Sequence, residues 1–331
     1  MKPTSATTEA SAASATGATS ATRGGVPASA WAYALLVALG LAAPFLTYPV
    51  FAMNVLCLAL FASAFNLLLG YAGLLSFGHA AFLGAAAYLT GLAVKVWGLP
   101  IELGILAGTA LAALLGLVFG ALAIRRSGIY FAMITLGFAQ MIYFLVLQAN
   151  WTGGEDGMQG IPRGKLLGIF ALSGNLPMYY FVFGLFLLGF WVIHRTIHSP
   201  FGQVLRAIRE NEPRAVSLGY DVDRYKLLAF VISAGLSGLA GSMKALVFQS
   251  ATLSDVHWHR SGEVVLMTLL GGMGTPLGAF VGALLAVALE NYLASYGSWV
   301  TVITGGVFMA CVLSFRRGIV GEVLALVRRS F

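Results

Sequence analysis

From Trp31 onward the chain is a succession of apolar runs joined by short polar connections: 31–48, 50–69, 74–94, 100–123, 129–149, 178–194, 226–249, 262–273, 277–294 and 298–315. A hydrocarbon core about 30 Å thick is crossed by about 20 apolar residues of helix. Lipid offers no partner to an open backbone, so each run must close its hydrogen bonds within itself, as a helix does. Nine runs approach the required length, whereas 262–273 is too short to cross alone as an ideal helix. Only 9% of the 331 residues are charged and 59% are hydrophobic, against about 25% charged in a soluble domain. That balance excludes a soluble enzyme, a disordered chain and a nucleic-acid module. The expected fold is all-α and polytopic, with about ten transmembrane segments, some short or broken.

The net charge of +7 reads as the basic bias of cytoplasmic connections, not as a nucleic-acid surface. Basic residues cluster at Lys2 and Arg23, at Arg125 and Arg126, in 195–226, and at Arg316, Arg317, Arg328 and Arg329. All four clusters fall on one side if the chain crosses ten times and both termini are cytoplasmic. The run 262–273 then counts as a crossing beside a broken neighbour. Residues 1–30, rich in Ala, Ser and Thr, read as a disordered cytoplasmic tail. A cleavable leader is not expected there, because Trp31 opens a long apolar run followed at once by another. Residues 31–315 form the transmembrane domain, and 316–331 a second cytoplasmic tail. Loop 150–176 falls outside and loop 195–226 inside. The inner loop carries ten charged residues, Arg195, Arg206, Arg209, Glu210, Glu212, Arg214, Asp221, Asp223, Arg224 and Lys226, which marks a solvated, structured element.

Run 100–123 places Gly104, Gly108, Ala112, Gly116 and Gly120 at four-residue spacing. Such a stripe lets another helix approach to backbone contact, so these glycines are read as helix packing. Gly274, Gly278, Gly282 and Ala286 repeat the device. Segments 70–84, GYAGLLSFGHAAFLG, and 271–282, GGMGTPLGAFVG, break their apolar runs in the two halves of the chain. Paired breaks of this kind suggest discontinuous helices beside a midplane path. Ser76, His79, Gln140, Gly271 and Gly274 are the candidates to line it, with an interhelical hydrogen bond as the plainer role for His79. Lys244 lies about 27 Å along a helix from Lys226 and is expected to reach the far interface with its head in water. Glu290 sits within 277–294 and requires a partner or a wet cavity.

Several chemistries are absent. No phosphate-binding loop with a following Lys-Ser/Thr occurs; Gly160 to Lys165 has the wrong spacing and is followed by Leu166. His194 and His198 lack the glutamate of a zinc helix, and His257 and His259 form an isolated pair. Cys57 and Cys311 have no partner spacing. Gly235-Leu236-Ser237-Gly238 resembles the nucleophile motif of rhomboid proteases, but no histidine follows on a later span, so packing is the better reading. No metal and no cofactor is expected on this chain.

Within the inner loop, Gln203–Glu212 suits a short amphipathic helix, Pro213 the first turn of a second, and Gly219 its end. Glu212, Ala215 and Gly219 form a loose version of the coupling-loop signature of ABC importer permeases, with Pro213 where alanine is usual. The whole-chain pattern is more specific: GYAGLLSFGHAAFLGAAAY (70–88), SGIYFAMITLGFAQ (127–140), WTGGEDGMQGIP (151–162), SPFGQVLRAIRENEPRAVSLGY (199–220), SGEVVLMTLLGGMGTPLGAFVGA (261–283) and RRGIVG (316–321). Across about 31–322 it resembles the M-type permease of high-affinity branched-chain amino acid ABC transporters. That resemblance implies a bacterial inner-membrane subunit paired with a homologous H-type permease. It further implies two cytoplasmic ATPases holding ATP and Mg, a periplasmic solute-binding protein, and leucine, isoleucine or valine as cargo. Related systems carry urea, amides or aromatic carboxylates, and the competitor of another class is a secondary transporter or channel without ATPases. The fulcrum for the ATPases would lie at Glu212, Ala215 and Gly219, with Arg206, Arg209 and Glu210 supplying polar contacts.

Overall fold

Each of the ten apolar runs becomes a helix. The computed structural model describes residues 28–166, 170–297, 299–314 and 318–322. The basic residues Lys2, Arg23, Arg316, Arg317, Arg328 and Arg329, and most of both expected tails, lie outside the described residues. The helices are α1 (Ala28–Leu46), α2 (Pro49–Asn66), α3 (His79–Lys95), α4 (Ile101–Ala123), α5 (Ile129–Gln148), α6 (Asn175–Ile197), α7 (Pro200–Glu210), α8 (Glu212–Ser217), α9 (Val222–Phe248), α10 (Leu253–Val256), α11 (Trp258–Gly271), α12 (Pro276–Leu293) and α13 (Trp299–Ser314). Helix α1 starts at Ala28, inside the segment 1–30 expected to lack structure. The described residues fall into two units that divide between Ala42 and Ala43; everything below concerns the second.

Among the described residues six helices are long and apolar enough to cross a membrane: α2 with its continuation to Ala72, α4, α5, α6, α9 and α12. Helix α3 is shorter than its run, and the reason is local. After Asn66 the backbone widens into a π-helix, Leu67–Ala72, and Gly73 then takes the left-handed conformation (φ 72°), so α3 can begin only at His79. Single π-turns inside α-helices occur mostly at functional sites.

Helix α9 is the hub, sandwiched between α2, α3 and α4. Its two ends define the two ends of this unit. At the Val222 end sit α7 and α8. At the Phe248 end the two connections expected to share one side do meet: Met158–Gln159 (β1) pairs antiparallel with Ser250–Ala251 (β4), while Lys165–Leu166 (β2) and Phe170–Ala171 (β3) form a second antiparallel pair. Arg163 of the same loop donates to the carbonyls of Leu246 (3.4 Å) and Val247 (2.5 Å), the free acceptors at the end of α9.

Helix α11 has 14 residues, about 21 Å of rise. Short as it is, it joins the two ends of α9, since Arg260 lies beside Asp255 at the Phe248 end and Gly274, just past its C-terminus, meets Gly70 near α7. The small-residue device works between α11 and α12: a side chain at Gly271 would strike the Gly278 backbone, and one at Gly282 the Met267 carbonyl.

Candidate coupling and transport site

The ladder on α4 faces α3 and α9. A methyl group on Gly108 would collide with Thr90 Oγ1 and Ser242 Oγ, one on Gly116 with the Ala234 side chain, one on Gly104 with Val94 at 2.8 Å, and one on Gly120 with Leu227 at 2.8 Å. The close approach puts Thr90 Oγ1 within hydrogen-bond distance of Gly104 O (3.1 Å) and Ser242 Oγ (2.8 Å), its one proton going to one of them, and so ties the three helices.

The loop expected to hold two short helices does so, with shifted bounds. Helix α7 begins earlier than Gln203 because Ser199 caps it, accepting from Gly202 N at 3.4 Å, with Pro200 preset in its first turn. It stops before Asn211, whose backbone is extended because its side chain caps α8, accepting from Arg214 N at 3.1 Å. Gly219 (φ 86°) ends α8; its N–H donates to Val216 O at 2.9 Å and that of Tyr220 to Ala215 O at 3.2 Å, a left-handed closure that favours glycine.

These helices form a wedge with its own small core, Ile208, Ala215 and Val222, flanked by Val204 and Tyr225. Ala215 is 3% exposed, so nothing larger fits without prising α8 from α9. Glu212 accepts from Lys226 of α9 at 2.6 Å, and the Lys226 side chain is 5% exposed. Glu210 is exposed.

Arg206 and Arg209, expected to supply polar contacts to the ATPases, are exposed and also reach the membrane domain. Arg206 stacks over the Tyr71 ring at 5.0 Å, and Arg209 donates to Gly70 O on the π-helix. The contacts continue beyond. Tyr71 Oη donates to Gly274 O (2.7 Å), Asn66 Nδ2 donates to Thr275 O (2.9 Å), and Gly274 N donates to Asn66 Oδ1 (2.9 Å). Helix α7 is thereby connected, through the π-helix, to the elbow between α11 and α12. Asn66 and Tyr71 were not singled out from the sequence. Asn66 carried a usable signal, a bare amide inside an apolar run, where lipid gives it no partner.

The candidate path residues do not assemble into one site. Ser76 is buried and accepts from Gly78 N in its own turn (3.1 Å). His79 is buried between Phe65, Phe82 and Phe230. Its Nε2 lies 2.8 Å from Ser233 Oγ, which donates to Ala64 O at 2.6 Å. The serine proton is therefore committed to α2, and the imidazole acts as the donor that pins α3 to α9, the plainer of the two roles considered. Gln140 is half-buried on α5. Gly271 and Gly274 belong to the elbow, and Ser237 Oγ, from the protease-like motif, donates to Ser233 O within its own helix at 2.8 Å.

At the Phe248 end Lys244 does not extend toward water. Its ammonium pairs with Asp255, the two side chains being 12% and 4% exposed. Burial opposes ionisation of Asp255, but Lys244 and Arg260 outweigh it and hold the carboxyl below the usual carboxylate range. Arg260 also binds Glu263. Glu290, the costly charge of α12, lines a cavity of about 230 Å³ with Lys244, Asp255 and Arg260. No group of three or more metal-ligating side chains occurs among the described residues.

Residues 48–313 match the family described as branched-chain amino acid transport system / permease component. The chain is 28% identical over 271 residues to the high-affinity branched-chain amino acid transport system permease protein LivM of Escherichia coli (strain K12), covering 75% of this chain and 64% of that protein. To the autoinducer 2 import system permease protein LsrC of Klebsiella pneumoniae it is 33% identical over 192 residues, 56% of this chain and 53% of that one. A probable branched-chain amino acid transport permease protein LivM of Methanocaldococcus jannaschii is 26% identical over 230 residues, 62% of this chain and 65% of the relative. The chain thus spans somewhat less than two thirds of these relatives' length. No solved structure matches it.

Proposed function

Since the chain belongs to the family of branched-chain amino acid transport system permeases, and is an integral membrane protein, we propose that it is one membrane subunit of an ATP-driven, binding-protein-dependent importer of leucine, isoleucine and valine. In this reading it pairs with a homologous H-type permease in a bacterial inner membrane, both termini cytoplasmic. Two cytoplasmic ATPases supply the energy, and a periplasmic solute-binding protein delivers the cargo to the end that carries β1 and β4. The permease itself binds neither ATP nor Mg.

The observation that supports the reading best is the wedge of α7 and α8. A soluble motor can deliver force only to something stiff. The wedge has capped helix ends, an apolar core and the Glu212–Lys226 pair at its root. Arg209 then connects it to the π-helix and the α11–α12 elbow. A flexible linker would have none of these, and a secondary transporter would not need them. The motor would press on the exposed surface around Glu210, Arg214 and Gly219.

The test is reconstitution of the permease pair with its ATPases and binding protein. Liganded binding protein should stimulate ATP hydrolysis, and labelled leucine should accumulate in preference to urea and benzoate. Gly219→Trp should abolish stimulation and uptake together, while Gly219→Asn, which tolerates the left-handed backbone, should retain most of both. Uptake that proceeds without ATPases would establish the secondary-transporter reading; preferential accumulation of urea or benzoate would reassign the cargo and leave the machine intact.

A further inference from the structure

The rotation of α5 is fixed by its inner face. Phe131, Thr135, Ala139, Ile142 and Val146 are buried. Thr135 Oγ1 accepts from Phe77 N at 3.1 Å, and Phe138 stacks on Phe119 of α4 with ring centroids 4.4 Å apart. The opposite face is turned outward: Met133, Gly137, Met141 and Phe144 are exposed, and Gln140 on its flank is half-buried. By contrast, the exposed faces of α4 and α6 carry Leu106, Leu114, Leu117, Leu188 and Trp191, side chains that lipid satisfies. Gln140 stands about midway along a helix long and apolar enough to cross a membrane, and its amide makes no hydrogen bond among the described residues. A side chain on Gly137, one turn away, would meet no atom within 4 Å.

An amide held in hydrocarbon without a partner costs free energy. Between transmembrane helices the same group hydrogen-bonds across the contact, and a neighbouring glycine lets the backbones approach. An open glycine alone distinguishes nothing, since Gly184 on α6 has equal room; the amide beside it does. We infer that this face of α5, with Gly137 and Gln140 at its centre and Met133, Met141 and Phe144 around them, is the surface on which the second permease seats a transmembrane helix. The occupant is a membrane chain because the face lies within the span. Its helix presents a hydroxyl or amide to Gln140, whose side chain offers both donor and acceptor, and fills the open space over Gly137. A water-filled path would satisfy the amide too, but it would leave Met133, Met141 and Phe144 against water, where apolar surface is unfavourable. The inference rests on the importer reading, which supplies the second permease.

The test uses the assembled transporter, both permeases with their ATPases, in native membranes. The photoreactive residue p-benzoylphenylalanine replaces Phe144 on α5, Leu114 on α4 or Leu188 on α6. Illumination should join this chain to the second permease from the Phe144 site and not from the other two. In the purified complex, Gln140→Leu should speed the exchange of labelled second permease about three- to tenfold, the worth of one interhelical hydrogen bond, and Gln140→Asn should restore part of the difference. Lipid adducts alone from the Phe144 site, equal joining from Leu114 or Leu188, or exchange unchanged in Gln140→Leu would overturn the contact. So would joining of two copies of this chain. Rapid modification of Met141→Cys by a charged methanethiosulfonate, with Cys57→Ser and Cys311→Ser in the background, would place the face in a water-filled path and overturn it as well. ATP-driven uptake of leucine by the unmodified complex tests the importer reading separately, so failure of the contact and failure of that reading are told apart.

Discussion

The Arg209 guanidinium donates to the carbonyl oxygen of Gly70, joining a charged surface helix to the π-helical end of α2 across 139 residues of sequence. Carbonyls near a helix C-terminus lack intrahelical donors, so the bond completes α2 as well as anchoring α7. It ties the wedge to the membrane domain, and Tyr71 and Asn66 continue the contacts to Gly274 and Thr275. In the proposed importer, a push on α7 would move the backbone at Gly70 and, through these bonds, the elbow.

Arg209→Ala should therefore lower the amount of leucine moved per ATP hydrolysed, with modest loss of stability, because the side chain is largely exposed. Arg206→Ala, which removes a stacking contact with Tyr71, should have a smaller effect. Paired measurements of uptake and phosphate release in proteoliposomes check this. Unchanged stoichiometry in Arg209→Ala would mean that force enters elsewhere.

Asn66→Leu should destabilise the fold more than either arginine variant. It strands the Gly274 N–H and the Thr275 carbonyl, each at a cost of about 1–3 kcal/mol when buried without a partner. Thermal unfolding in detergent should show the loss, and cysteines placed on the two sides of the elbow should react faster. An unshifted melting temperature would show that water replaces the amide.

On the ladder, Gly108→Leu and Gly116→Leu should damage assembly, because both positions touch neighbouring helices. Gly184→Leu, where a side chain would meet nothing within 4 Å, is the matched control. Size-exclusion profiles of the purified complex decide; monodisperse Gly108→Leu would mean that α3 and α9 can separate from α4 without penalty.

The Lys244–Asp255 pair gives a pH dependence with a definite sign. The Asp255 carboxyl is held below its ordinary value, so its contribution is fully present above the ordinary carboxylate range and is lost as pH falls through the lowered value. Melting temperatures should be steady down to about pH 4 and fall below it. Asp255→Asn should cost about 3–5 kcal/mol by leaving Lys244 buried and unpaired, and the double variant Lys244→Met, Asp255→Leu should recover much of that. A flat profile in the wild type would place the ionic contribution elsewhere.

Sidedness can be read with single cysteines in intact cells. Glu155→Cys, in the loop that pairs with β4, should react with an impermeant reagent, and Ser217→Cys in α8 should not. Both sites are exposed, so burial does not confound the comparison. Labelling at Ser217→Cys would invert the topology.

The positions of the helices were legible in the sequence. Lipid forces every apolar run to pair its own backbone groups, so length and polarity suffice to place α2, α4, α5, α6, α9 and α12, and the glycines of 70–84 and Pro276 already mark where α3 and α12 are interrupted. The two surface helices were legible as well, from the amphipathic spacing after Gln203 and from Pro213 and Gly219, but not their bounds, which the Ser199 and Asn211 caps set. The partnerships were not. Asn66 meets Thr275 across 209 residues, and His79 meets Ser233 across 154. Lys244 finds Asp255 only 11 residues on, yet that contact depends on how the chain turns after α9. Arg206 and Arg209 are surface charges, as read, but their contacts with Tyr71 and Gly70 were not legible, because sequence shows composition and period, not which way a short helix is rotated on its support. The packing of α7 against the π-helix decided that rotation, a degree of freedom that sequence spacing does not encode.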